Sequence, residues 1–332
     1  MKTIFPLILC LLSFLSYSQN NYYKEAWNAL NKNDRAMAKE LLQKAMKEDA
    51  TAEDAYITNI YLASYNGKEG EIEDFESRFY KKSSNPYPYI YSLWFNKAVL
   101  GNYGKKTSPR QLSLMDKLIA DQNAPGTIVA AANYQKVMHL IFAGEIEKSV
   151  SYGEAVGSIQ NWQLTGPFEN LSESGFYKNY GPESHPEPEA IFKSLNNADI
   201  KWFTPEHEVR EGWMLLNNNF DKTTAVVYAQ SFLQSSEDRT VLINVGFSGA
   251  IKVWVNDELV ISESKELTTE LDFLSAKCKL SKGSNRVLVQ LSYTNLSAPN
   301  FAIRITDQNY KPLKDIKGSS VYASYPRKKS DA

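Results

Sequence analysis

Histidine and cysteine are scarce, three and two among 332 residues. Nucleophiles, general bases and soft metal ligands are therefore in short supply. Charge of one sign is lacking too: Lys+Arg number 37 and Asp+Glu 38, a formal net charge of −1. With no long run of like charges, nothing draws the chain toward nucleic acid or an anionic membrane. No Gly-rich phosphate loop, HExxH, GxSxG or dinucleotide fingerprint occurs. These absences point away from an enzyme and toward a binding or scaffold protein, with no cofactor and no metal site expected. What the chain has is length for two buried cores of roughly 150 residues each.

The N-terminus indicates the compartment. Lys2, the apolar run Ile4 to Leu15 and the small residues Ser16 and Ser18 either side of Tyr17 have the order of a signal peptide over residues 1–18. The run falls short of the roughly 20 residues a membrane span needs, and no later segment reaches that length. Cys10 follows the bulky Leu9, where a lipidation site needs a small residue, so it belongs to the signal core. The exported chain keeps Cys278 alone, which excludes an internal disulfide and leaves stability to packing. Periplasm, cell surface or medium is the expected location.

From Tyr22 to about Ser158 apolar residues recur at helical spacing, punctuated by Gly, Pro and Asn. Ala26-Trp27-Asn28-Ala29-Leu30, a turn at Asn33-Asp34, then Ala38, Leu42 and Ala45 read as two antiparallel helices. Their alanines permit close approach, with Trp27, Leu30 and Leu42 filling the space between. This resembles the tetratricopeptide repeat, whose second helix carries a small-x3-large-x2-small pattern and ends near an Asp-Pro, here Asp49-Ala50. Ser149, Gly153 and Val156 echo the pattern, and Asn85-Pro86 closes another unit. About four degenerate pairs over residues 20–160 are expected to stack as an α-solenoid; an irregular helical bundle is the alternative. The resemblance implies an envelope protein or peptide partner in a groove lined by Tyr56, Tyr61, Tyr65, Tyr89, Tyr91 and Trp94. The same aromatics at helical spacing also suit packing between helices.

At Trp162 the pattern changes. Asn161-Trp162-Gln163-Leu164-Thr165-Gly166-Pro167-Phe168 leads to a loop-rich, proline-bearing stretch over 172–197. Short alternating runs follow: 200–204, 224–233, 240–245, 251–255, 259–262, 271–280, 286–293 and 301–306. That spacing predicts an antiparallel β-sandwich over 161–310, ahead of a polar tail at 311–332. Asn256-Asp257 after Ile251-Lys252-Val253-Trp254-Val255 supplies a tight hairpin turn, and Lys282-Gly283 another.

The series from Gly249 to Val260, with Arg286-Val287-Leu288-Val289 and Phe301-Ala302-Ile303-Arg304-Ile305, resembles the galactose-binding-like jelly-roll modules. Phe247-Ser248 stands where calcium- or sugar-binding relatives often carry paired aspartates, which argues against a metal-assisted sugar site. The metal-free glycan candidates are Trp202, Trp213, Asn217, Asn218, Tyr293 and Asn295: aromatic faces stack on sugar C–H groups while amides satisfy hydroxyls. Closing the sandwich core is the alternative role for those aromatics.

Helical repeats, the stretch Trp162 to Phe176 and the jelly-roll tail together resemble the N-terminal half of large exported bacterial proteins with a transglutaminase-like domain. That chemistry requires Cys, His and Asp on a domain of its own, and none follows Asp307. Cys278 alternates with Ala276 and Leu280 as a buried strand residue does. Glu206-His207-Glu208 are adjacent loop residues that converge poorly on one ion. His185 falls in what reads as a solvated proline-rich loop, and His139 in a helix. The expected protein is thus α plus β in separate domains and non-catalytic.

Overall fold

The computed structural model describes residues 21–48, 50–94, 109–206 and 212–327, the side chains of Glu69, Leu93 and Trp94 excepted. The expected signal segment, Asp49, His207 and Glu208 lie outside the described residues. The chain is α plus β and divides into two compact units, Met1–Val99 and Leu100–Ala332. Helix gives way to strand between Val156 and Gln163, and the compact units part after Val99. Among the described residues no helix is long and apolar enough to cross a membrane.

The first unit is helical: α1 (Tyr22–Asn31), α2 (Arg35–Ala45), α3 (Ala52–Tyr65), α4 (Glu69–Lys82) and α5 (Tyr87–Trp94). The Asn21 side chain caps α1 by accepting from Lys24 N, and Asp34 caps α2 by accepting from Met37 N at 3.0 Å. Buried Ala26, Ala29, Ala38 and Ala45 let α1 and α2 approach, and Leu42 fills between them. Trp27 does not share that interior as expected. It stands 45% exposed, edge-on to Tyr23, because Ala26 and Ala29 already occupy the inward face. Successive helices pack on one another, α1 on α2, α2 on α3 and α3 on α4. Helix pairs are what is seen; the expected solenoid is not shown.

The second unit opens with α6 (Pro109–Ala120), α7 (Gly126–Phe142) and α8 (Ile146–Val156), α7 packing on both neighbours. Ser149, Gly153 and Val156 are buried on the inner side of α8. These helices are tied to the strands by a buried ion pair. Arg304 pairs with Asp272, donates from Nε to Val156 O at 2.7 Å and from a terminal nitrogen to Tyr310 O at 3.1 Å; Thr127 Oγ1 donates to Asp272 at 2.7 Å.

The principal strands are β1 (Gln163–Phe168), β5 (Ala225–Ser235), β6 (Arg239–Val255), β7 (Glu258–Thr268), β8 (Leu274–Leu280), β9 (Gly283–Tyr293) and β10 (Asn300–Thr306). Short pieces are β2 (Phe192–Lys193), β3 (Asp199–Ile200), β4 (Met214–Leu215) and β11 (Gly318–Ser319). All but the β2–β3 hairpin join one antiparallel sheet. The two runs expected at 240–245 and 251–255 are one 17-residue strand, β6. Its first part pairs with β8 and β10, its second with β9 and β7. Partners change at Gly249, whose φ of +138° and a Cβ position 2.9 Å from Ser292 O admit only glycine. The sheet bends there, and alternate residues of both arms meet in one core: Val241, Ile243, Val245 and Phe247; Ile251, Val253 and Val255; Val287, Val289 and Leu291; Phe301, Ile303 and Ile305. Asn256 and Asp257, at φ +49° and +64°, turn β6 into β7, the positive pair that a type I′ hairpin requires.

Candidate functional site

Two surfaces carry the residues the sequence singles out, and they differ in what they expose. On α3, Thr58, Tyr61 and Tyr65 fall at i, i+3 and i+7, one stripe of the helix. Thr58 is buried, its hydroxyl 3.1 Å from Tyr23 OH on α1. Tyr61 and Tyr65 stand in solvent, Tyr65 77% exposed. The Arg35 guanidinium lies 5.5 Å from the Tyr65 ring centroid and donates to Asn66 Oδ1 at 3.4 Å. Tyr89 of α5 is exposed and meets Phe79 edge-on at 5.4 Å. Tyr56 is core, set between Phe79 and Arg78, so no groove can use it. Tyr91 is half-buried, and the Trp94 side chain lies outside the described residues. Trp27 is the aromatic that sequence reasoning assigned to packing and the fold leaves in solvent. Its offset of one residue from Ala26, about 100° around the helix, is the signal that could have found it.

The glycan candidates do not converge. Trp202 is 6% exposed, donates from Nε1 to His185 O at 2.9 Å and packs with Phe168 and Phe192 against the outer side of β5 and β9. Tyr293 is 0% exposed and points into the inner core, on the opposite face of that sheet. Its hydroxyl has no hydrogen-bond partner, and burial pushes its pKa far up. Trp213 is half-buried with its ring against Gly246. Asn217 and Asn218 are exposed after β4. Asn295 is exposed at φ +52° and donates from its backbone to Thr224 Oγ1.

What the sequence did not reveal is how fully the outer face of β5, β9 and β6 is occupied by the chain itself. Arg286, buried to 1%, donates from Nε to Gln230 Oε1 at 2.9 Å and from its terminal nitrogens to Pro182 O at 2.7 Å and Glu183 O at 3.0 Å. Gln230 Nε2 donates to Pro186 O at 2.9 Å. Tyr228 OH donates to Glu183 Oε1 at 2.5 Å; burial first, and the Glu183 charge second, raise the phenol's pKa. Lys252 sits 4.4 Å from the Phe176 ring centroid and donates to Phe176 O, and burial lowers its pKa while Glu183 opposes that. The expected solvated proline-rich loop is therefore a docked cover, drawn down because Arg286 and Gln230 need acceptors once buried. The polar tail expected at 311–332 is docked in its described part: Tyr325 is buried and donates to Asp257 Oδ1 at 2.8 Å, and Arg327 donates to Ser184 O at 2.5 Å.

Cys278 is buried, and burial first, with Glu258 second, pushes its thiol up to about 12, so it is protonated near neutral pH. His185 Nδ1 shares Gly181 O at 3.0 Å and Ser184 Oγ at 3.2 Å with no carboxylate. Among the described residues no three His, Cys, Asp or Glu side chains gather where an ion could sit.

Known protein families give no match to this chain, and neither do curated proteins. Solved structures give weak likenesses. A beta-glucosidase from Kluyveromyces marxianus is 19% identical with a TM-score of 0.26 over 31% of this chain, which spans 14% of that enzyme. The PA14 domain of the MpAFP antifreeze protein is 13% identical with a TM-score of 0.25, over 30% of this chain and 56% of that domain. A family 35 carbohydrate-binding module from an environmental isolate is 17% identical with a TM-score of 0.20, over 27% of this chain and 72% of the module.

Proposed function

We propose that this is an exported, non-catalytic binding protein that holds a protein or peptide partner on the aromatic face of its helical unit. In this reading the β-unit is a galactose-binding-like docking or spacer module, and the tetratricopeptide-like helix pairs present Trp27, Tyr61, Tyr65 and Tyr89. One observation supports it above the rest. The aromatics suited to stacking on a sugar, Trp202 and Tyr293, are inside the β-unit, while Tyr65 is 77% exposed. An exposed tyrosine under a guanidinium gives a partner a large rigid contact with a polar tip, the type enriched where binding energy concentrates.

The test is capture of envelope proteins or peptides by the immobilised full-length chain. A Tyr61→Ala/Tyr65→Ala double variant with unchanged melting should lose capture by about tenfold or more. Equal capture by the variant would refute the reading. A glycan bound through exposed Asn217 and Asn218 with half-buried Trp213 is the second reading, read on a glycan array with Trp213→Ala as control.

A further inference from the structure

The helices of the second unit leave a groove of about 400 Å³ between α6, α7 and α8. On α7, Lys136, His139 and Leu140 fall at i, i+3 and i+4 and so share one face; Lys148 and Tyr152 do the same on α8. Leu112 of α6 and Leu140 supply an apolar wall. The volume lies in the range of small-molecule sites, which pair such a wall with a few polar groups.

Its polar side is rich in donors. The Lys136 side chain is only 12% exposed, its ammonium 5.6 Å from the Tyr152 ring centroid. That ammonium is paired at 2.7 Å with Asp116, whose own side chain is 58% exposed. Lys148 pairs with Glu145, and both stand in solvent. Nδ1 of His139 is buried without a hydrogen-bond partner, an unmet demand at the groove's wall. An exposed acid on an ammonium contributes little and swings away at low cost. A ligand carboxylate can therefore replace Asp116 at Lys136, and its apolar body adds contact that Asp116 cannot offer.

We propose that this groove binds a small carboxylic acid with an apolar body, its carboxylate taken by Lys136 and its body laid against Leu112 and Leu140. The site lies in a different unit from the aromatic face, so either proposal can fail without the other.

The experiment is calorimetric titration of the full-length chain with octanoate, beside octanol and octylamine, which keep the apolar body and lose the acid. Octanoate should bind saturably, with octanol and octylamine weaker by about tenfold or more. Lys136→Met should weaken octanoate by about tenfold, and Asp116→Asn, which frees the ammonium at an exposed position, should tighten it a few-fold. The Asp116 variant also carries the test if Lys136→Met does not fold. Octanol binding as tightly as octanoate overturns the proposal. So does octanoate affinity unmoved by Asp116→Asn, or binding confined to a peptide with a free C-terminus.

Discussion

The two units treat buried charge in opposite ways. In the second, Arg304 and Arg286 are almost wholly buried, yet each donates to several acceptors, and Asp272 is paired. In the first, Glu76 of α4 is 5% exposed, on the same helix face as Ile72 and Phe79, with no hydrogen bond or ion pair to it among the described residues. Burial, and secondarily Glu73, pushes its carboxyl up to about 8. The contrast extends to the candidate aromatics: Trp202 and Tyr293 are packed inside the β-unit, while Trp27, Tyr61, Tyr65 and Tyr89 are exposed on α1, α3 and α5. Buried charges that meet acceptors within the same chain have little left to offer a partner. In the proposed function, the exposed rings of the helical unit are where partner energy is gained.

The largest expected effect comes from breaking the satisfied side. Arg304→Met leaves Asp272 buried and uncompensated, which should destabilise the second unit by about 3–5 kcal/mol, read by urea unfolding and by amide exchange in β10. A loss under about 1 kcal/mol would mean the pair is not buried as described.

Next is the unsatisfied side. Because the folded state holds the Glu76 proton more tightly than the unfolded chain does, stability of the helical unit should be greatest near pH 4.5. It should fall as pH rises toward about 8 and level off above that. The ceiling is about 5 kcal/mol, at 1.36 kcal/mol per pKa unit. Glu76→Leu should flatten that profile and raise stability at pH 8; an unchanged pH dependence would break the comparison.

A smaller effect is expected at the bend of β6, where Gly249→Ala should cost about 1–3 kcal/mol through backbone strain and the approach of Ser292 O. Smallest is Asp34→Ala, which removes the α2 cap and should cost about 1 kcal/mol of helical-unit stability in thermal melts.

Much of the fold was legible because it is local. Alanine spacing placed α1 and α2, alternation placed β5, β9 and β10, and Asn256-Asp257 is the turn its composition announces. Phe247-Ser248-Gly249 read as a break, since a pattern cannot distinguish a turn from a glycine that bends a continuous strand. The docking of 169–203 was not legible: its anchors, Arg286 and Gln230, lie far off in sequence. The packing of α7 and α8 with the strands is likewise tertiary, resting on Arg304, Asp272 and Thr127. At the candidate site, residue type named Tyr61, Tyr65 and Tyr89 as exposed aromatics but could not separate them from buried Tyr56 or from Trp202 and Tyr293.

Hydroxyl-radical footprinting of the full-length chain, with and without captured partner, tests the central claim most directly. The account predicts protection at Trp27, Tyr61 and Tyr65, with Trp213 and Tyr177 of the β-unit unchanged. Protection confined to the β-unit, with Tyr61 and Tyr65 labelled equally in both states, would contradict it.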